Sequence, residues 1–447
     1  MAFLTILFCI ILLVVLVSWA KVNPFLAFLI VSITAGLMLG IPMNKVTSSV
    51  KKGLGDALGE ITIIICLGAM VGKLVATSGA AQKIAEVLVN LFGIKHIQWA
   101  LVVVGFIVGI PLFYNTGFVL MVPLIFSVVY KYKLPAVYIG LPMLAALSVT
   151  HGFLPPHPSP TQLVSMFHAN IGTTLLYGLI LAVPAIILAG PVFATTLKNI
   201  PSVPMETFRS EEIPSDKLPS ALNSFITALL PVFLLMASAW YLNVSKVDKS
   251  VQKLAETPFH KLVAFIGDAP IVMLISIIFA TYSLGIKQGI SMKRIGELYV
   301  DAIKDIAGIL LIIGGSGMFK EVLIASGVSD HIAALLQSLN LQPLFLGWLI
   351  AAIIRISLGS ATVAGLTAAG IVLSMVQHDP SINPNLMVLA IGAGSLAFSH
   401  VNDGGFWMFK EYFNLSIKDT IKSWSLMESI VSVVGIVGVL ILNTIIH

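Results

Sequence analysis

Long apolar runs recur from one end of the sequence to the other, and short polar stretches separate them. Several runs approach the roughly 20 residues that an α-helix needs to cross the hydrocarbon core of a bilayer. This pattern predicts an all-α polytopic membrane protein with 12–14 hydrophobic segments. The runs form two series, residues 3–20, 25–41, 61–76, 100–112, 117–129 and 175–197, then residues 225–242, 262–284, 306–325, 344–354, 361–376, 386–398 and 430–446.

The two series follow one pattern that occurs twice. A shift of 248 residues places Gly117 on Gly365, and a shift of 249 residues places His151 on His400. A polar stretch with four prolines and mixed charge separates the series, as expected of an aqueous loop. The sequence therefore predicts a first repeat over residues 1–197, a linker over residues 198–221 and a second repeat over residues 222–447.

Interruptions within the apolar runs indicate how each repeat meets the membrane. The runs on either side of Asn115, and those on either side of Gly359, are too short to span, so each pair predicts a re-entrant hairpin. Proline and glycine break the following helix at residues 152–160 and 402–405. Each repeat then makes an odd number of crossings, which predicts that the second repeat is inverted relative to the first.

Loop charges predict the orientation. With this topology, fourteen basic residues lie on the side of the linker and seven on the other side. Because basic loops favour the cytoplasm, the linker is predicted to be cytoplasmic and both termini periplasmic or extracellular. The fourteen are Lys21, Lys83, Lys95, Lys131, Lys133, Lys198, Arg209, Lys217, Lys287, Lys293, Arg294, Lys304, Lys418 and Lys422.

Composition agrees with a chain whose main partner is the lipid bilayer. Charged residues make up 10% of the sequence, against roughly a quarter in soluble domains, and the mean hydropathy is +1.02. Basic loops account for the net charge of +5, so nothing suggests a nucleic-acid partner. Cys9 and Cys66 both lie in apolar runs and indicate neither a disulfide nor a metal site.

Four irregular segments are expected to meet near the middle of the membrane: residues 111–117, 150–160, 357–362 and 399–405. Inverted repeats with interrupted helices are typical of secondary transporters, whose substrate and ion sites lie where the breaks meet. Exposed amides at helix N-termini favour an anionic group, and exposed carbonyls can hold a cation. The pattern therefore predicts a secondary active transporter.

Charged residues in these segments are the first candidates for the site. Arg355 precedes the second hairpin tip, where its planar guanidinium suits a carboxylate; its alternative role is to hold hairpin carbonyls. Asp403 is the only acid in the four segments and is a candidate for cation coupling, or else a helix cap.

Histidines and uncharged polar residues complete the candidate site. His151, His157 and His400 are suited to carrying a proton, and equally to donating hydrogen bonds to substrate hydroxyls or to the broken backbone. The remaining side chains suit hydroxyl or ion contacts, and local capping is as good an explanation for them. They are Asn115, Thr116, Thr161, Ser360, Thr362 and Asn402.

Two other classes of protein compete with a transporter. An intramembrane hydrolase would use His151, Ser360 and His400, but the sequence has no H-E-x-x-H pattern and no G-x-S-x-G motif around Ser360. A channel has no evident need for two inverted repeats with broken helices. We therefore expect no enzyme activity, no cofactor and no metal site.

The interrupted segments also carry a family resemblance. The motifs "HGFLPPHPSPT" (151–161), "LGSATVAG" (358–365), "SHVNDGGFW" (399–407) and "IKSW" (421–424) resemble the gluconate permease family, which comprises gluconate:proton symporters and their D-serine-transporting relatives. The resemblance covers the whole chain. It implies cation-coupled uptake, with a proton as the coupling ion, of gluconate or a related small sugar acid or hydroxy acid across a bacterial inner membrane.

One departure from the family pattern bears on coupling. Where the family has a glutamate at the first hairpin tip, this chain has Asn115, which cannot titrate. The resemblance therefore leaves open a D-serine-like or other small carboxylate as substrate, and sodium as the coupling ion. If a proton is the coupling ion, Asp403 or one of the three histidines is expected to bind it. A homodimer is a further expectation, because transporters built from hairpin repeats often pair through scaffold helices.

Overall fold

The computed structural model of the protein describes residues 2–110, 114–155, 157–205, 207, 213–214, 217–247, 257–328, 341–379 and 381–446. Within these ranges 84% of the residues are helical, and no strand occurs. The helices are α1 (Ala2–Val14), α2 (Pro24–Met38), α3 (Met43–Thr77), α4 (Ala80–Phe92), α5 (Ile97–Gly109), α6 (Tyr114–Tyr132), α7 (Ala136–Phe153), α8 (Pro158–Met166), α9 (Ile171–Leu197), α10 (Ala221–Val247), α11 (Pro258–Ile266), α12 (Ala269–Gln288), α13 (Met292–Ala325), α14 (Pro343–Leu358), α15 (Ala361–His378), α16 (Pro384–Gly394), α17 (Gly404–Tyr412) and α18 (Ile417–Ile446).

The helices confirm the predicted class, an all-α polytopic membrane protein. Within the described residues, eight helices are long and apolar enough to cross a bilayer. The pair α4 and α5 turns by 96° at its break and is a ninth candidate if it is one broken span. The apolar parts of α1, α2, α14, α15 and α16 are shorter than a crossing.

Side-chain caps define where several helices begin. Asn23 before α2, Gln342 before α14 and Asn383 before α16 accept hydrogen bonds from backbone N–H groups of the first turn. A proline follows each of these residues and occupies the first helical position. These caps satisfy donors that hydrocarbon leaves without a partner.

Both predicted breaks are present, but the second is wider than the sequence indicated. Helix α7 ends at Phe153 and α8 begins at Pro158, as predicted. Helix α16 already ends at Gly394, whereas the predicted break began at residue 402. There the Ser395 hydroxyl donates to the carbonyl of Gly392 at 2.8 Å, and Phe398 has a φ of +38°. Backbone turns thus replace the α-helix before any proline or glycine pair is reached.

The second hairpin is a short turn between two packed helices. Helix α14 ends at Leu358, Gly359 has a φ of +75°, and Ser360 caps α15. In the first half, α5 packs on α6, and residues 111–113 of the predicted tip lie outside the described residues. Helix α6 has 19 residues, longer than expected, because it continues past the apolar run to Tyr132. That either hairpin is re-entrant stays a prediction.

Helix bounds follow the predicted shift between the two halves of the chain. The bounds of α3, α5 and α6 differ from those of α13, α14 and α15 by 246–249 positions. This agreement supports the pairing of these segments. The division into repeats 1–197 and 222–447, and the inversion of the second repeat, stay predictions.

Contacts group the chain into two compact units, each of which draws on both halves of the sequence. Unit 1 comprises Met1–Glu60, Ser148–Ile200 and Gly308–His447, and unit 2 comprises Ile61–Leu147 and Pro201–Ala307. In unit 1, Trp407 and Trp424 are fully buried, and the Trp407 ring contacts Phe28 at 5.6 Å. In unit 2, apolar residues of α3, α4, α12 and α13 form the core.

Part of the predicted linker is attached to unit 2. Gln82 on α4 makes two hydrogen bonds with the backbone of Ile213, at 3.0 and 3.1 Å. The hydroxyl of Tyr130 donates to the carbonyl of Pro204 at 2.5 Å. Residues 206, 208–212 and 215–216 of the linker lie outside the described residues. The described part is therefore held by side chains of α4 and α6.

Candidate functional site

A buried ion pair joins the second hairpin to the second break. Arg355 lies in the last turn of α14, and Asp403 is the N-cap residue of α17. Their side chains meet at 2.5 Å between Nη2 and Oδ2 and are 5% and 15% exposed. Two predicted site residues, 48 positions apart in sequence, are thus in direct contact.

Asp403 has the helix-capping role that the sequence left open, and it is also a member of the ion pair. Its Oδ1 accepts a hydrogen bond from the backbone N–H of Gly405 at 3.1 Å, which caps α17. Its Oδ2 accepts from the hydroxyl of Ser399 as well as from Arg355. Trp424 on α18 in turn donates to the Ser399 hydroxyl at 2.8 Å. The carboxylate is therefore held from α14, α17 and the segment before α17.

Arg355 has more donors than the ion pair uses. Its Nε and Nη1 atoms are buried and make no hydrogen bond within the described residues. A guanidinium has five N–H groups, and buried donors without acceptors are costly. An anionic group placed against these atoms would satisfy them. Arg355 therefore keeps N–H donors that Asp403 does not use.

His400 and Asn402 hold the C-terminal end of α14. The Nε2 atom of His400 donates to the carbonyl of Ile356 at 2.8 Å, since a carbonyl can only accept. The Nδ2 atom of Asn402 donates to the same oxygen at 2.7 Å and to the carbonyl of Ser357 at 3.1 Å. His400 thus takes the backbone-holding role considered for it, and Asn402 acts in the same way. The Oδ1 atom of Asn402 is buried without a hydrogen bond among the described atoms.

The first break brings two predicted histidines together. The rings of His151, near the end of α7, and His157, before α8, pack edge to face at 5.2 Å. His157 is 3% exposed. The charge of Arg355 acts on His151, so the first break shares its electrostatic environment with the ion pair. Both histidines belong to unit 1, as do Arg355 and Asp403.

The hydroxyl-bearing candidates lie on α8 and α15, which pack together in unit 1. Ser360 caps α15 by accepting from the N–H of Val363 at 3.4 Å. Thr362, in the first turn of that helix, is half-buried. On α8, the Thr161 hydroxyl is buried and makes no hydrogen bond to another described residue. Ser360 therefore has a capping role, and Thr161 has spare hydrogen-bonding capacity.

Asn115 and Thr116 belong to the other unit. They begin α6 in unit 2, where Asn115 is half-buried and Thr116 is 3% exposed. The three residues before Tyr114 lie outside the described residues.

Glu428 is a buried acid that the sequence analysis missed. It lies on α18, is 2% exposed, and accepts a hydrogen bond from the hydroxyl of Ser148 at 2.6 Å. The charges of Arg355 and Asp403 both act on it. The predicted apolar run began at residue 430, two positions too late to include it. An acid at the border of a long apolar run was the available signal.

Within the described residues, no group of three or more His, Cys, Asp and Glu side chains is placed to hold a metal ion. The site instead combines one arginine, two acids and three histidines with hydroxyl and amide groups in unit 1.

Buried charges between interrupted membrane helices are typical of transport proteins. The fold and the site therefore indicate that this chain is a membrane transport protein. The comparisons are specific. The chain matches the GntP family permeases over residues 1–445 and belongs to that family. It is 47% identical to the high-affinity gluconate transporter of Escherichia coli (strain K12), with 98% of each chain covered.

Two further relatives have similar coverage. The chain is 44% identical to the gluconate permease of Bacillus subtilis (strain 168), over 96% of this chain and 97% of the relative. It is 42% identical to the Gnt-II system L-idonate transporter of E. coli (strain K12), over 98% of each chain. Because the relatives are permeases and transporters, the chain is a multi-pass membrane transporter of the gluconate permease family and not an enzyme.

Proposed function

We propose that this protein is a proton-coupled symporter that carries gluconate or a related small sugar acid into the cell. The names of the relatives support the substrate class, because they include gluconate and L-idonate transporters. The single observation that carries the proposal is the buried Arg355–Asp403 pair, in which Arg355 keeps two nitrogen atoms without an acceptor in the described structure.

Arg355 is the proposed anchor of the substrate carboxylate. Guanidinium–carboxylate pairs are strong and directional, and a desolvated pair is stronger than one in water. Asp403 already accepts from Nη2, so Nε and Nη1 are the donors that remain for the substrate. In this arrangement the bound acid and Asp403 compete for the same positive charge.

The hydroxyl groups of the sugar acid are proposed to contact uncharged polar groups around the pair. Thr161 and the Oδ1 atom of Asn402 have spare hydrogen-bonding capacity among the described residues. Ser360, Thr362, His151 and His157 are further candidates in unit 1. Asn115 and Thr116 lie in unit 2, and their role in substrate binding stays a prediction from the sequence. His400 is a weaker candidate for substrate contact, because its Nε2 atom already donates to the carbonyl of Ile356.

Asp403 is the proposed site of coupling. A proton on Asp403 removes its charge and leaves Arg355 available to the substrate carboxylate, so proton and substrate promote each other's binding. Linkage requires this effect to be reciprocal. Asn115 has no proton to exchange, and the remaining titratable candidates are His151, His157 and His400.

Uptake into sealed proteoliposomes tests this proposal. An acid-outside pH gradient should drive gluconate accumulation without sodium, and a protonophore should abolish it. Asp403→Asn should lose accumulation, and gluconate exchange in that variant should no longer depend on pH. Glu411→Gln is the matched control, because this acid lies on the same helix and contacts Lys410 at 2.8 Å. Unchanged pH-driven accumulation in Asp403→Asn and in the three histidine variants would contradict the coupling scheme.

Sodium coupling is the alternative, and the amide at position 115 is the observation that favours it. Asn115 in unit 2, or Ser360 and Thr362 in unit 1, would then be candidate sodium ligands. Accumulation driven by a sodium gradient at constant pH would support this alternative, and a panel of acids including L-idonate and D-serine would define the substrate. Residence in the bacterial inner membrane, a cytoplasmic linker, outward-facing termini and a homodimer are part of the same proposal.

A further inference from the structure

Glu428 is the buried acid for which the transport scheme above has no role. It lies on the face of α18 that points into unit 1, because Ser425 and Ser432 on that face bond to other elements of the unit. Ser425 donates to the backbone carbonyl of Ser399 at 2.5 Å, and Ser432 accepts from the indole N–H of Trp348 at 2.9 Å. Glu428 lies between these two anchored positions.

Among the described residues, one oxygen of the Glu428 carboxyl has a hydrogen-bond partner and the other has none. Its Oε1 accepts from the hydroxyl of Ser148 at 2.6 Å. Its Oε2 is buried and has no hydrogen-bond partner among the described residues. No lysine or arginine forms a salt bridge with it in the part of the chain that the structure describes. A buried carboxylate in this situation is unfavourable, and a protonated carboxyl costs much less because it carries no charge.

Charged and titratable groups around Glu428 come from several elements. Helix α14 contributes Arg355, and the segment before α17 contributes Asp403; the charges of both act on Glu428. Helix α16 has no titratable side chain, and α9 has only a tyrosine. The other titratable groups in these elements and in α18 itself are His151 in the part of α7 that belongs to unit 1, His400 before α17, Tyr177 on α9, and Lys418, Asp419 and Lys422 in the first turns of α18.

Charge balance gives Glu428 a function. When both carboxyls of the site are ionised, an anionic substrate at Arg355 adds a third negative charge to the single positive charge of the guanidinium. Uncompensated charge is disfavoured inside a membrane protein. Proton binding at Asp403 and at Glu428 removes the excess. Substrate binding should therefore promote proton binding at both acids, and the reverse holds by linkage.

We propose that Glu428, held by Ser148, is a second proton-binding carboxyl of the transport site. It takes up a proton from the side of the membrane on which the substrate anion binds at Arg355, and releases that proton on the side where the substrate leaves. This inference rests on the proposed function, since it uses the substrate anion at Arg355. It differs from the proposed function because it places a proton-binding group on α18, outside the four irregular segments.

The test is the pH dependence of gluconate affinity, measured by calorimetry with the full-length protein in lipid nanodiscs. The slope of log Kd against pH equals the number of protons taken up per gluconate bound, so each titrating group contributes at most one. Glu428→Gln keeps the shape of a protonated carboxyl but cannot titrate. We expect its slope to fall by up to one and its affinity at low pH to stay within a few-fold of the original.

Two matched variants complete the binding experiment. Ser148→Ala should keep the slope, because the titrating carboxyl remains. Glu411→Gln should also keep it, because that acid contacts Lys410 and lies on α17. A Glu428→Gln slope equal to that of the unchanged protein would overturn the inference and leave the proposed function standing. Absence of gluconate binding by the unchanged protein would instead contradict the proposed function.

A second measurement needs no substrate and so stands apart from the proposed function. Infrared difference spectra across a pH titration report the carbonyl-stretch band of protonated carboxylic acids. The unchanged protein should show a buried carboxyl band that Glu428→Gln lacks and Glu411→Gln retains. Identical bands in the unchanged protein and in Glu428→Gln would overturn the inference even if the Glu428→Gln protein failed to bind gluconate.

Discussion

Replacing Asp403 by alanine removes the acceptor of the Arg355 Nη2 atom, and it leaves a guanidinium that is only 5% exposed. Breaking a buried pair in this way costs about 3–5 kcal/mol, because the remaining charge is uncompensated. The same substitution deletes the N-cap of α17, which adds about 1 kcal/mol. Asp403→Ala should therefore be among the most destabilising single changes in unit 1.

The reverse deletion should cost less. In Arg355→Ala, Asp403 keeps the hydroxyl of Ser399 and the N–H of Gly405 as donors. Its carboxylate is then partly satisfied, so we expect a loss at or below about 3 kcal/mol. The double variant removes both charges and should be more stable than Asp403→Ala alone. The coupling energy between the two sites should lie within about 0.5–3 kcal/mol.

Unfolding of the purified protein in nanodiscs without substrate measures this cycle. Arg294 and Glu297 provide the control cycle, since this pair is 3.0 Å apart and its side chains are 57% and 49% exposed. Exposed pairs couple by at most about 1 kcal/mol. The reasoning is refuted if the effects of Arg355→Ala and Asp403→Ala add to within about 0.5 kcal/mol, as independent sites do.

Two further changes test the local structure around the site and the linker. Gly359→Ala should cost more than about 2 kcal/mol, because the residue has a φ of +75° and its Cβ would overlap the carbonyl of Asn402. Gly40 has a φ of +80° and open space around it, so Gly40→Ala should lose only the free energy that the backbone strain costs. An equal loss of unfolding free energy in the two variants would contradict the proposed overlap at Gly359. Gln82→Ala removes both bonds to Ile213 and should speed tryptic cleavage of the linker, whereas an unchanged rate would show that these bonds do not hold it.

Much of the fold followed from hydropathy and from breaker residues. Apolar runs predicted the helices, and the proline cluster at residues 152–160 predicted the end of α7 and the start of α8. The second break was located less well. Helix α16 ends at Gly394 through a side-chain bond from Ser395 and turn-type backbone bonds, and neither leaves a proline or a glycine pair in the sequence.

The sequence predicted most residues of the candidate site, but it did not predict which of them contact each other. Intramembrane charge is a strong signal, so Arg355 and Asp403 could be named from the sequence. Their contact could not, because it depends on how α14 packs against the second break in three dimensions. His400 and Asn402 were also named, but only the structure shows that they bond to the end of α14.

Glu428 shows a different limit. Hydropathy windows leave out charged residues at the borders of an apolar run. Glu428 lies just before such a run, and it is a buried acid on a membrane helix. Its partner Ser148 is 280 positions away in the sequence, and serine in an apolar helix carries no functional signal of its own. Burial and partners, which come from tertiary packing, are what distinguish it from a surface glutamate.

Gluconate affinity of Arg355→Lys tests the central claim most directly. Lysine keeps the charge but offers a point charge in place of the planar fork, so the substrate carboxylate should lose a desolvated charge-assisted pair. Such a loss is about 2–5 kcal/mol, or at least roughly thirtyfold in Kd. Arg294→Lys, at an exposed arginine, should bind gluconate as the unchanged protein does. The account predicts that Arg355→Lys binds gluconate at least about thirtyfold more weakly, and an affinity within about threefold of the unchanged protein would contradict it.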